Sequence, residues 1–234
     1  MDIKFVPYSE GSEINVPMPK PAKNYMPKWF KDMPQFDDEK FIRIKSKKDM
    51  MSTSATAKSC APFMDTFLTG YIQETWCDIL ITVDNYNVGY YWADGPQPLE
   101  IRPNTKHAVP IPEEYYQIEF EWRTQWEPKT PKGWSSLYMH PLNQPDLPFY
   151  SMSGIVDTDK FHMGGAFPFF IKKGFTGVIP AGTPMYQIIP FQRKEWKSSA
   201  EEFDDKVWRK RHFATTKYFT SGYRKHFWQK KSYE

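Results

Sequence analysis

The stretch SGIVDTDKFHMGGAFPFFIKKGFTGVIPAGTPMYQIIPFQR, residues 153–193, decides the fold class. It joins an acidic pair, Asp157 and Asp159, to short apolar runs separated by Gly- or Pro-marked turns. Apolar runs of strand length bounded by turn residues are the pattern of β-strands linked by tight turns, here with the carboxylates at one turn. Working outward, WSSLYM at 134–139 reads as another strand and HPLNQPDLP at 140–148 as a loop. YYQIEFEW at 115–122 alternates residue by residue, as a half-buried strand does. Two further strands are predicted at 71–83 and 88–92 across a turn at 84–87. The chain is predicted to be mainly β, with a jelly-roll-like domain.

Composition agrees with that reading. The 234 residues are 40% hydrophobic and 18% aromatic, so a core rests on Phe, Tyr and Trp more than on aliphatics. The 21 prolines, concentrated before residue 191, oppose long helices there. Three segments follow: an extended N-terminal arm at 1–36, a β domain at 37–195, and a basic, aromatic helical tail at 196–234. Prolines at 17, 19, 21, 27 and 34 argue against helix and central strand in the arm. Its Met26, Trp29 and Phe30 are too apolar for a disordered tail, so the arm is expected to lie across its own domain or a neighbouring subunit. FIRIK at 41–45 is a strand candidate, and APFMDTFL at 61–68 a short helix opened by Pro62 and stopped by Gly70. The tail begins with a helix over SSAEEFDDKVWRKRHF, with a Ser N-cap region, acids first and bases last.

No apolar run is long enough to span a membrane, and the N-terminus lacks a signal-peptide pattern. The expected location is the host cytoplasm or a virion, with Cys60 and Cys77 as free thiols. The net charge of +3 hides a segregation: residues 206–231 hold nine Lys or Arg and no acid, leaving the remainder net negative by six.

Asp157 and Asp159 sit where a strand-end carboxylate would orient a water or bind a metal, and equally where Asx turns form. His162 could join them at a cation, but the spacing is nonspecific and no metal site is predicted. AGTPMYQ at 181–187 offers backbone donors around Gly182, or a plain turn feeding the next strand. Gln187, an amide inside an apolar strand, must be hydrogen-bonded and is expected to bridge neighbouring strands. No P-loop, dinucleotide fingerprint or Cys-His zinc pattern occurs, and Ser135, Ser136 and Ser153 lack the nucleophile-elbow frame. In the tail, Arg209, Arg211, Arg224 and Lys225 interleave with aromatics, as in nucleic-acid binding. The alternative is docking of Trp208, Phe213, Phe219 and Trp228 on the chain's own domain, and the aromatic load favours it.

The segments PKWFK at 27–31, KSCAPFMD at 58–65, TPKGWS at 130–135, HPLN at 140–143, SGIVDTD at 153–159, PFFIK at 168–172 and IPAGTPMYQIIPF at 179–191 cover most of the chain. In them it resembles a family of tailed marine bacteriophages, cyanophage-type myoviruses especially, and of some bacteria. That resemblance implies no activity. Residues 130–193 are also similar to the β-clip core of trimeric dUTPases and dCTP deaminases. The similarity implies a water-activating role for Asp157, with Asp159 beside it, and ligand-binding roles for Ser135, Ser136, Gly154, Gly182 and Gln187. Departures stand against turnover. Lys160 occupies the place of an expected aromatic, Trp134 precedes the serines where an Arg is expected, and the Gly-rich closing segment is replaced by the basic tail. A site without its phosphate clamp lacks the charge stabilisation that phosphoryl chemistry needs.

The sequence therefore predicts a non-catalytic phage-type protein, structural, assembly-related or ligand-binding, and a homo-oligomer such as a trimer. Its cofactor is unspecified. One alternative is a divergent dUTPase/dCTP-deaminase-like enzyme that takes a nucleotide. The other is an accessory protein that binds nucleic acid through the tail.

Overall fold

The computed structural model describes residues 2–36, 55–84, 87–102, 109–162, 164–217 and 221–234. The strand candidate at 41–45, part of the 84–87 turn and Phe219 lie outside the described residues. The chain is mainly β, its strands pairing antiparallel, with helices toward the C-terminus. It forms two compact units, Met1–Tyr25 with Gly70–Glu195 and Glu234, and Met26–Thr69 with Trp196–Tyr233.

The first unit is built from four sheets. β1 (Lys4–Pro7) pairs with β8 (Trp126–Lys129) as a two-stranded ribbon. A five-stranded sheet runs β11 (Gly154–Val156), β9 (Trp134–Met139), β14 (Pro184–Gln192), β3 (Tyr71–Glu74), β2 (Lys20–Pro21). A four-stranded sheet runs β10 (Phe149–Ser151), β12 (Ala166–Ile171), β7 (Phe120–Arg123), β6 (Leu99–Ile101). A three-stranded sheet runs β13 (Gly177–Ile179), β4 (Ile79–Asp84), β5 (Asn87–Trp92). One aromatic core joins the three larger sheets: Ile79 and Ile81 from β4, Trp122 and Phe169 from β7 and β12, Tyr138 and Tyr186 from β9 and β14. Trp122 stacks on Phe169 at 3.7 Å between centroids, and its indole N–H donates to Ser151 Oγ at 2.9 Å. A buried indole needs such a partner, and here it ties β7 to β10 inside the core.

Several local expectations are corrected. The 71–83 run is two strands in different sheets, β3 and β4, broken at a corner where Thr75 and Asp78 hold the 180–183 turn. Of the alternating 115–122 run only residues 120–122 are strand, in β7; Tyr115 makes an isolated bridge to Lys172, and Gln117 turns its amide onto the Pro112 and Tyr115 carbonyls. β8 was hidden by Pro128, which a two-stranded ribbon with an open edge tolerates. The arm is not continuously extended. Ser9 caps α1 (Glu10–Asn15) by accepting from the Ser12 N–H, and Ser12 Oγ donates to Gln125 Oε1 at 2.7 Å. Pro27, expected to break helix, instead sits at the N-cap of α2 (Lys28–Asp32), a place proline suits.

The second unit centres on α3 (Ala61–Leu68), whose Phe63 and Phe67 meet Trp29 and Phe30 of α2 at ring separations of 4.5–6.3 Å. Phe30 is fully buried and Trp29 half-buried. Further on come α4 (Asp205–Thr216) and α5 (Gly222–His226). α4 starts later than the sequence implied, because Asp204 and not a serine caps it, accepting from the Lys206 and Val207 N–H groups. Gly222 lets α5 approach α4: a Cβ there would lie 2.1 Å from the Thr215 carbonyl oxygen. Among the described residues no helix is long and apolar enough to cross a membrane.

Candidate functional site

In the five-stranded sheet β9 lies between β11 and β14, with Val156 opposite Ser136 and Phe191 opposite Ser135. The start of β9, the exit of β11 and the exit of β14 therefore share one sheet end. That end gathers Ser135, Asp157, Asp159 and Arg193. Ser135 Oγ donates to Asp157 Oδ1 at 2.7 Å and accepts from Arg193 Nη1 at 3.0 Å. Arg193 Nη1 lies 2.8 Å from Asp157 Oδ1, and Nη2 lies 2.5 Å from Asp159 Oδ2. The Gly133 N–H also donates to Asp159 Oδ2, at 2.8 Å. Between the two aspartates Thr158 turns inward and its hydroxyl meets those of Thr130 and Ser136, at 2.8 and 3.0 Å.

The two carboxylates differ in surroundings. The Asp159 side chain is 2% exposed and that of Asp157 is 53% exposed. The Arg193 bond, with the Gly133 N–H, brings the Asp159 carboxyl down to about 2. The Ser135 hydroxyl first, then Arg193, holds Asp157 below the ordinary carboxylate range. Both are firmly anionic at neutral pH. Asp159 Oδ1 is buried without a hydrogen-bond partner, whereas the Asp157 side chain is open to solvent over about half its surface.

The other candidates are distributed along the sheet. Ser135 and Ser136 are both fully buried with their hydroxyls engaged. Gly154 opens β11 opposite Tyr138, away from the carboxylates. Gly182 lies beyond the opposite end of β14 from Arg193, and the nine residues of that strand alone span roughly 30 Å at about 3.3 Å per residue. Its φ of 85° and its N–H bond to the Thr75 carbonyl make it a corner residue. Gln187 sits mid-strand and accepts the Leu142 N–H at 2.9 Å, tying β14 to the loop after β9. His162 has a buried, unpartnered Nδ1, and among the described residues no His, Cys, Asp and Glu side chains gather into a metal-holding group.

Two elements escaped the sequence reading. Arg193, just past the last strand, is the cation that organises the aspartates. Glu127 is a buried carboxylate under the sheet: its oxygens accept from Thr124 Oγ1, the Gly165 N–H and Tyr138 Oη. A groove of about 460 Å³ also opens beside the 140–148 loop, walled by Tyr115, Phe149, Tyr150 and His140 with Lys172 at its edge. His140 is fixed there, accepting the Ser151 N–H on Nδ1 and meeting the Gln144 carbonyl with Nε2. Burial pushes its imidazole pKa down, so the ring is neutral.

In the tail, Trp228 donates its indole N–H to Asp65 of α3, and Lys231 pairs with the same carboxylate. Arg224 lies over the Trp228 ring at 5.6 Å. Trp208 and Phe213 of α4 stand out instead, 50% and 65% exposed, with Arg209 and Arg211 on the same helix. Docking therefore describes the end of the tail and not α4.

No protein-family model matches the chain, and no curated protein matches it. Among solved structures it is similar to a mutant dUTPase from phage phi11 of S. aureus, in a study of the coordination of a structural Mg(II) ion. The TM-score is 0.38 and the identity 10%, over 88% of this chain and 99% of that one. A likeness of that size assigns no site.

Proposed function

We propose that this is a non-catalytic β protein of the tailed-phage type, one that holds a small ligand or a partner, as a homo-oligomer, and transforms neither. One observation carries the reading: Arg193 and Ser135 engage the carboxylate that would have to act as base. A general base works best with a pKa near the working pH, and Asp157 is moved the other way. Ser135 is no nucleophile either, since its hydroxyl is fully buried and no substrate carbon reaches it. Asp157 and Asp159 are balanced by Arg193 and the neighbouring Lys160, so the cluster carries no net positive charge to clamp the phosphates of a nucleotide. The cluster acts instead as a cross-link between three strand ends. A small planar ligand fits the groove of Tyr115, Tyr150 and His140 better than the Asp157 face.

The half-exposed Asp157 side chain favours a second reading, a divergent dUTPase/dCTP-deaminase-like enzyme in which that carboxylate orients a water. Asp157→Asn separates the two. As a cross-link, Asp157 is needed for stability, so the variant melts lower and the wild type turns over no nucleoside triphosphate in a panel followed by product release. Turnover in the wild type, abolished in a variant with unchanged melting temperature, overturns the proposal.

A further inference from the structure

α4 is a twelve-residue helix with none of its residues buried. An amphipathic helix normally hides one apolar stripe, and a helix polar all round is held by ion pairs or by something it binds. Among the described contacts α4 has one exposed pair, Arg209 with Asp205, and its close approach to Gly222 of α5. Exposed on it are Lys206, Arg209, Lys210 and Arg211, with Lys217 following, while the acids gather at its start, Asp205 in the first turn, Asp204 at the cap and Glu201 and Glu202 before it. Its aromatics are not folded away. Trp208 lies flat on His212, with centroids 4.7 Å apart and planes at 8°, and Lys217 stands over Phe213 at 5.8 Å. Residues three and four apart share a helix face, so Trp208 neighbours Arg211, and Phe213 neighbours Arg209 and Lys210. Just upstream, Trp196 and Phe203 are also exposed.

We propose that α4 binds single-stranded nucleic acid, its cations tracking phosphates while Trp208 and Phe213 stack on bases. Charge selects the occupant. A protein–protein contact concentrates its energy in an apolar centre depleted of lysine, whereas here each ring is bordered by cations. A polyanion with flat apolar faces complements both features at once. Bases paired inside a duplex do not offer those faces, and this commits the proposal to single strands.

The test uses the full-length protein and a fluorescently labelled 20-nucleotide single strand, read by anisotropy. With about four phosphates neutralised, affinity should fall roughly fiftyfold between about 50 and 200 mM salt. Trp208→Ala and Phe213→Ala should each weaken binding roughly tenfold. Both rings are exposed, so the melting temperature should hold; Arg211→Gln, which leaves the rings in place, should weaken binding and flatten the salt dependence. Three results would overturn the proposal: no binding at low salt, equal binding of a duplex of the same sequence, or ring variants that bind normally. Sedimentation of the same variants identifies the competing occupant, since loss of an oligomer without loss of oligonucleotide binding gives the face to a second copy of the chain.

Discussion

Removing the Glu127 carboxylate should be among the most damaging single changes in the β unit. Its Oε1 accepts from Thr124 Oγ1 at 2.5 Å and from the Gly165 N–H at 3.1 Å, and its Oε2 from Tyr138 Oη at 3.0 Å. Glu127→Ala leaves Tyr138 Oη without an acceptor, whereas Thr124 Oγ1 and the backbone of Gly165 still bond to each other. At about 1–3 kcal/mol for the buried hydroxyl left unsatisfied and about 1 kcal/mol for each of the two other bonds lost, the loss should be about 3–5 kcal/mol. That is a large part of the roughly 5–15 kcal/mol holding a typical domain. Glu127→Gln is milder, because the amide oxygen keeps Thr124 and Gly165 and only the Tyr138 bond must reverse, at about 1 kcal/mol. The two forms also differ in pH dependence. Burial raises the Glu127 pKa and outweighs the three bonds that lower it. The folded state thus holds the proton more tightly than the unfolded chain does. Its contribution is present at low pH and lost as pH rises from the unfolded carboxyl value toward the folded one. The advantage of wild type over Glu127→Gln should shrink along that rise. Urea unfolding followed by tryptophan fluorescence between pH 4 and 8 measures both quantities. An alanine variant within 1 kcal/mol of wild type, or a gap to the glutamine variant that widens with pH, would refute the reasoning.

The Arg193 cluster runs with the opposite sign. Asp159, held at about 2, and Asp157 contribute stability that is complete above about pH 4 and lost as pH falls toward the folded values. Arg193→Gln should lower the melting temperature at neutral pH and flatten its fall in acid, read by thermal melts from pH 2 to 7. Gly70→Ala should unfold the β unit, because at φ 72° its Cβ would lie 2.2 Å from the Ile188 carbonyl oxygen; circular dichroism and yield of folded protein check this. Phe30→Ala should cost about 3–5 kcal/mol where α2 meets α3, measured by denaturant unfolding.

How much of this was legible in the sequence depends on the range of the interaction. The strands WSSLYM, AFPFFI and MYQIIPF declared themselves because their apolar runs are local and bounded by turn residues. The Asp157–Asp159 turn was visible for the same reason. Its partner was not. Arg193 reaches the aspartates only because β14 runs antiparallel to β9 in the register that sets Phe191 opposite Ser135. That register is a pairing choice made across more than fifty residues of sequence. A usable signal existed: a single Arg immediately past an apolar strand falls at the sheet end where the other strand-end charges collect. Glu127 lies beside Pro128 in a strand of only four residues, a pattern that proline hides although a two-stranded ribbon permits it. The arm misled differently, since its prolines set helix starts and a ribbon edge and do not exclude structure.

Electrostatics links the two functional proposals. By sequence, the unit holding the β-sheets has five more acids than bases, and the unit holding α2 to α5 has eight more bases than acids. An anionic ligand approaching Asp157 meets two carboxylates balanced by Arg193 and Lys160, in a unit already negative. Approaching α4 beyond its acidic first turn, it meets four exposed cations, in a unit already positive. The same polyanion is therefore disfavoured where the sequence places a nucleotide site and favoured where the exposed rings wait. Salt discriminates between these two terms: screening weakens the attraction at α4 and the repulsion by the β unit's net charge together. A nucleotide that bound the β unit would thus bind better as salt rises, and a strand that binds α4 must bind worse.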